Sequence, residues 1–149
     1  MSIQKTYAML KPGILQRRVV GEIISRLEKK GLNLVGIKIL QITPEMAKKH
    51  YQEHSEKSFF KDLVSYITSA PVVAMVWEGD NAISLVRKMC GSTSVDESQP
   101  GTIRGDYSAH TPINVIHSSD SQESANREIG IFFKPEEIVS WTDNNQCWF

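Results

Sequence analysis

The chain has 149 residues, of which 40% are hydrophobic, with 17 basic and 17 acidic side chains and four histidines. That length suits one domain, residues 1–149, with its own core. Balanced charge gives no general pull toward nucleic acid or an anionic membrane. No apolar stretch approaches the roughly 20 residues a membrane span needs. The start Met1-Ser2-Ile3-Gln4-Lys5 lacks an export pattern, so a cytoplasmic location is expected. Cys90 and Cys147 form neither a disulfide framework nor a metal spacing.

Ile3 to Leu10 mixes β-branched, aromatic and apolar residues and predicts a strand ending at the turn Lys11-Pro12-Gly13. Val19, Val20, Ile23, Ile24 and Leu27 recur at helical spacing, with Gly31 as the stop. Leu32 to Ile42 predicts a second strand. Thr43-Pro44-Glu45 combines an N-cap, a first-position proline and a first-turn acid, opening a helix to about Tyr51. Phe59, Phe60, Leu63, Val64 and Ile67 predict another amphipathic helix, and Val72 to Trp77 a buried strand. Asp80 opens a helix that ends near Gly91. Ser92 to Pro112 has little periodicity and predicts a long functional loop. Asp120 to Glu128 predicts a helix, Ile129 to Phe133 a last short strand, and Pro135-Glu136-Glu137 a short helix. Trp141, Trp148 and Phe149 suggest that the tail docks. Without the additional helices the order is β-α-β-β-α-β. That predicts an α+β, ferredoxin-like fold: a four-stranded antiparallel sheet with helices packed on one face.

The run Asn114-Val115-Ile116-His117-Ser118-Ser119-Asp120-Ser121 carries the most chemistry. His117 ends a short apolar run and directly precedes a helix start, where Asp120 and Glu123 have capping-box spacing. A helix N-terminus favours anions. A free imidazole, with a reference pKa of about 6.5, is largely neutral at pH 7 and can act as a nucleophile. On these residues alone two readings stand: a phosphate-accepting nucleophile, or a structural histidine bonded to a serine-rich turn.

No Walker A sequence occurs, and no G-x-G-x-x-G follows a strand. A phosphate ligand would need locally placed cations, and Lys11, Arg87 and Arg104 stand near breaks in the pattern. Arg104 lies between Gly101 and Gly105, where backbone can approach a ligand closely. Glu128 could fix the second nitrogen of His117, or it could be an exposed carboxylate at a helix end. Of Phe59 and Phe60, one should face inward and one outward, where it could stack on a base. His50 and His54 are four apart, but no E-x-x-H context surrounds them, and no protein metal site is expected.

The run Asn114 to Ser121 resembles the N-x-x-H-[G/A]-S-D-S signature of nucleoside diphosphate kinases. Lys11-Pro12, Val20-Gly21-Glu22-Ile23-Ile24, Pro71 to Gly79, Pro100 to Asp106, and Glu128-Ile129-Gly130 followed by Phe133 and Pro135-Glu136-Glu137 resemble that family at matching spacing. The resemblance implies a ping-pong phosphotransferase. His117 would take the γ-phosphate of a nucleoside triphosphate, mainly ATP, and pass it to a nucleoside diphosphate. It implies that Lys11, Arg87, Thr93 and Arg104 contact phosphates, and that Lys11 and Asn114 reach the sugar hydroxyl. By the same resemblance Tyr51 sits beside the moving phosphoryl group, and Phe59 stacks on the base with Leu63 nearby. Glu128, helped by Ser119, would hold the His117 ring. Mg²⁺ would come with the nucleotide, and the chain would form a homo-oligomer, a tetramer or hexamer. A non-catalytic nucleotide-binding scaffold is the competing reading.

Several positions depart from the family pattern. Ser118 replaces Gly or Ala, predicting a polar side chain that crowds or hydrogen-bonds the phosphate. Gly13-Ile14 alters the turn after Lys11-Pro12. Pro112-Ile113 replaces Gly-Arg and removes a cation. Ser94-Val95 lies where many relatives have a proline near their assembly contacts.

Overall fold

The computed structural model describes residues 2–149. β1 (Ile3–Leu10) and β3 (Val72–Asp80) form the centre of a four-stranded sheet in the order β2-β3-β1-β4, with β2 at Asn33–Leu40 and β4 at Ile116–Ser118. Every neighbouring pair is antiparallel. The ferredoxin-like α+β expectation holds, with two corrections.

First, helices cover both faces of the sheet rather than one. On one face Ala8, Leu10, Val73, Met75 and Trp77 pack against Ile23 and Leu27 of the helix Val20–Lys29 (α2) and Val86 and Cys90 of the helix Ala82–Cys90 (α5). A four-residue helix, Ile14–Arg17 (α1), precedes α2. On the other face Tyr7, Met9, Val72, Ala74 and Val76 meet Ala47 of α3 (Pro44–His50), Ile67 of α4 (Phe60–Ile67) and Phe132 of α7 (Gln122–Phe132). Double coverage explains why Thr6 to Leu10 are all buried; a strand with one wet face would alternate.

Second, Ile129–Phe133 is not a strand. Ile129 and Phe132 belong to the last turns of α7 and pack into the second core cluster. A five-residue apolar run cannot separate a strand from a buried helix end by periodicity. The fourth strand is instead the three residues Ile116–Ser118, paired as Ala8↔Ser118, Met9↔His117 and Leu10↔Ile116. The N-cap of α7 is Ser121, whose Oγ accepts from the Ser124 N–H at 3.0 Å, and not Asp120. Likewise Asp80 ends β3, and Asn81 is the N-cap of α5. Within the expected loop, Ile103–Tyr107 forms a short helix, α6, capped by Thr102.

The tail docks in part. Trp141 Nε1 donates to the Leu34 carbonyl at 3.0 Å. Phe149 sits where a Cβ on Gly31 would lie 2.8 Å away, so only glycine fits there, at φ +100°. Trp148 stays exposed.

Candidate active site

Strained backbone presents His117. Val115 is buried yet has φ +64°, a genuine outlier for a β-branched residue. The Ile116 N–H donates to the Asn114 carbonyl at 2.8 Å, closing a three-residue turn. Such a conformation costs on the order of 1–3 kcal/mol and persists only where the surroundings hold it. Here they do. Lys11 N–H donates to the Val115 carbonyl at 2.9 Å. Arg104 donates from Nε to the Asn114 carbonyl at 3.2 Å, from Nη2 to that of Ile116 at 2.7 Å, and from Nη1 to that of Gly91 at 2.7 Å.

The turn ends in β4, where side chains alternate between faces. Ile116 joins the core cluster under α5, while His117 faces Tyr7 on the opposite side. Ser118 therefore points away from the nucleophile. Its Oγ is buried with no hydrogen-bond partner, on the side of the Cys90 thiol, which burial pushes up. The expected crowding of a phosphate by the Ser118 side chain does not arise. Its carbonyl has a role instead, accepting from Arg87 Nη1 at 2.9 Å.

His117 Nε2 lies 3.0 Å from Glu128 Oε1, and Ser119 Oγ donates to the same oxygen at 2.6 Å. Ser119 is tied to β1, accepting from the Tyr7 N–H at 3.3 Å. A carboxylate only accepts, so this network assigns the proton to Nε2 and leaves the lone pair on Nδ1. Glu128 is buried on α7, not exposed at a helix end. The His117 side chain remains 23% accessible. It opens to a cavity of about 130 Å³ whose lining includes Tyr51, Arg87, Asp120, Ser124 and Arg127. Several water volumes, or one phosphoryl group, fit that space.

Lys11 Nζ donates to Asn114 Oδ1 at 2.7 Å, and Asn114 Nδ2 donates to the Thr93 carbonyl at 3.4 Å. Burial, then the neighbouring Arg104, lowers the Lys11 ammonium to about 8. Among the described residues, no carboxylate lies within 4.0 Å of Lys11, Arg87 or Arg104. Cations without acidic partners suit an anionic ligand. The solvated-surface alternative fails for Arg104, which is buried; of its five N–H donors two hold the turn and a third holds the Gly91 carbonyl.

Tyr51 is buried at the end of α3. Farther out, Phe59 is 45% exposed, and its ring lies 5.7 Å from that of His54. Phe60 packs inward with Leu63, as the adjacent pair predicted. One residue of the site was missed. His50, on α3, stands with its ring centre 4.6 Å from that of His117. A signal existed: Ala47, His50 and Tyr51 share one helical face and all three are buried.

An imidazole bonded at one nitrogen and open at the other, beside cations without acidic partners, makes a site on a ferredoxin-like sheet that suits a phosphate ligand. Comparison with known proteins agrees. Residues 4–138 match the family model of nucleoside diphosphate kinase. The chain is 52% identical over 149 residues to the nucleoside diphosphate kinase of Treponema pallidum, covering all of both chains. It is 54% identical over 146 residues to that of Listeria monocytogenes, covering 98% of this chain and 99% of the relative. It superposes with a TM-score of 0.95, at 46% identity, on a halophilic nucleoside diphosphate kinase from Halobacterium salinarum in complex with CDP, covering 99% of this chain and 98% of that one. The chain belongs to the nucleoside diphosphate kinase family. It is an enzyme that transfers phosphate between nucleotides.

Proposed function

We propose that His117 Nδ1 is the nucleophile of a ping-pong reaction and that residues 1–149 act as one domain. Nδ1 attacks the γ-phosphorus of a nucleoside triphosphate, mainly ATP. The P–N bond forms, the bond to the bridging oxygen breaks, and its electron pair leaves on the nucleoside diphosphate. No proton needs to move. Nε2 keeps its hydrogen and the ring becomes positive, which the adjacent Glu128 carboxylate offsets. A second nucleoside diphosphate reverses the step. Positioning and charge neutralisation supply most of such catalysis.

Arg87, at the cavity, receives the phosphates together with Lys11 and Thr93. Arg104 shares in this through the two N–H groups it does not spend on the backbone. Asn114, carrying Lys11, faces the sugar hydroxyl, and Tyr51 flanks the phosphoryl group. Phe59 stacks on the base beside Leu63. Stacking reads a π-face, so broad base tolerance follows.

Mg²⁺ would come with the nucleotide and supply charge that neutralises its phosphates. The donor chemistry supports this: the one described cluster of potential ligands is His50, His117 and Glu128, and imidazoles suit zinc-like ions rather than magnesium. The edge strand β2 exposes Ile37 and Ile39, which supports a homo-oligomer, a tetramer or hexamer. No described helix is long and apolar enough to cross a membrane, and the proposed location is the cytoplasm.

The observation that carries the reading is the open Nδ1 of a ring fixed by Glu128. The test is incubation with γ-labelled ATP and Mg²⁺ without acceptor. Acid-labile, base-stable label should appear on the wild type and leave as triphosphate when GDP is added. A labelled, transferring His117→Ala would refute the assignment. An unlabelled wild type would favour a scaffold.

A further inference from the structure

His50 is a buried polar side chain against His117 to which the proposed reaction gives no task, and its ring lies nearer than that of Tyr7, at 4.6 Å against 6.1 Å. Its side chain is 2% exposed, and neither ring nitrogen has a hydrogen-bond partner. The ring stands edge-on to His117, at 4.6 Å and 86°, and to Phe132, at 5.3 Å and 68°. Its Nδ1 lies 3.9 Å from Glu128 Oε2. A neutral imidazole carries one donor and one acceptor, and each left unmatched in a buried site is costly. A phenylalanine would fill the space without that cost.

The Glu128 oxygens divide the work. Oε1 takes the His117 and Ser119 bonds, while the nearest groups to Oε2 are Arg127 Nη2 at 3.8 Å and His50 Nδ1. Both stand just outside hydrogen-bond range, and a movement of about 1 Å would close the His50 contact. We propose that His50 is a positioning residue: an uncharged imidazole whose Nδ1–H holds Glu128 Oε2, so that Oε1 and its charge stay on the His117 ring during phosphorylation. This rests on His117 being the nucleophile.

The charge state of His50 matters to that role. The groups facing it are His117, Arg127, Lys11 and His54, together with Glu128. Burial first, and then the positive charge that His117, Arg127, Lys11 and His54 can carry, hold its imidazole well below the ordinary range. A charged His50 would compete with the ring of His117 for one carboxylate just as that ring becomes positive. The same three side chains place metal-ligating atoms within 4.8 Å of one another. However, Arg127 and Lys11 face the cluster, and a cation on Nε2 would force the His117 proton onto the nucleophilic nitrogen.

The test begins on the unaltered protein, by ¹⁵N NMR of the histidine rings. His50 should be the Nδ1–H tautomer and His117 the Nε2–H tautomer; an Nε2–H tautomer for His50 overturns the proposal. Single-turnover phosphorylation by MgATP then measures the effect. His50→Phe should slow the step about tenfold with the KM for ATP within twofold, and should raise the Nδ1–H fraction of His117. His50→Gln, whose amide can reach Oε2, should recover most of the rate. A merely structural role would lower the Tm of both variants and leave the His117 tautomer and the KM-against-kcat split unchanged, which overturns the proposal. Failure of wild-type His117 to label would instead sink the underlying mechanism, so the two failures are distinguishable.

Discussion

Around His117, hydrogen bonds join distant parts of the chain. Ser119 and Tyr7 are separated by 112 positions, and Lys11 and Asn114 by 103. Around Phe59 the aromatic and cationic neighbours are local: His54 at 5.7 Å between rings and Lys57 Nζ at 5.5 Å from the ring centre. The first region is buried, with its polar atoms cross-tied between β1, β4, α5, α6 and α7. The second is an exposed lip at the start of α4, where Phe59, the N-cap residue, makes no side-chain cap bond. Phosphoryl transfer needs fixed atoms, and side chains locked by several elements supply them. The stacking role proposed for Phe59 needs a flat face and some freedom, which a locally held aromatic would supply.

If that contrast is real, damage at the two regions should differ in kind as well as size. Glu128→Gln is expected to have the largest effect of four substitutions or conditions. Its amide can donate to His117 Nε2 and favour the wrong tautomer, lowering kcat by up to about 10⁴, the loss that follows when a carboxylate orienting a catalytic histidine becomes an amide. Pre-steady-state phosphorylation measures this. A change under fivefold would show that Glu128 does not set the ring.

Arg104→Lys comes next. A single ammonium cannot reach three carbonyls in a planar fork. Loss of even one such charge-assisted bond costs about 1.5–3 kcal/mol. Denaturant titration should show that loss, and kcat should fall as the Val115 turn relaxes. Unchanged stability would mean that the strained turn holds itself.

The pH response of Lys11 tests its charge. In the free enzyme its ammonium is lowered to about 8. It is positive below that value and loses its charge as pH rises through it, so kcat/KM for ATP should fall on the alkaline side of about pH 8. Lys11→Arg should move that limb to higher pH. A profile flat to pH 9.5 would remove Lys11 from the binding role.

Phe59→Ala should be mildest. Stacking on a base is worth about 1–3 kcal/mol. KM should rise on the order of tenfold, similarly for purine and pyrimidine nucleotides, with kcat nearly constant. A fall in kcat equal to the rise in KM would erase the distinction between the two regions.

Much of this division was legible before folding. β1, α2, β2 and β3 declare themselves because each has a long enough apolar pattern to show its period. The nucleophile run and the set Lys11, Arg87, Arg104 and Glu128 could be picked out as residue types. What misled was short or non-local. The run Ile129 to Phe133 suits either period and was resolved only by packing on the second face. β4 has three residues, and β1 makes it a strand by pairing with it. Arg104 reads as a loop cation between glycines; only the folded chain reveals the carbonyls it holds. His50 had a helical-face signal, but nothing local ties it to a carboxylate on another helix.

The sequence by itself determined the α+β class and the family signature around His117, because these depend on local periodicity and on residues adjacent in the chain. Tertiary structure alone decided which nitrogen of His117 is open, what Arg104 and His50 touch, and where Ser118 points. The physical reason lies in the pairing of β4 with β1. Side chains alternate across a sheet, so the register Met9↔His117 sends His117 to Tyr7, His50 and Glu128 and sends Ser118 to Cys90. A shift of one residue would exchange them. Adjacent letters in the signature therefore serve opposite faces of the protein.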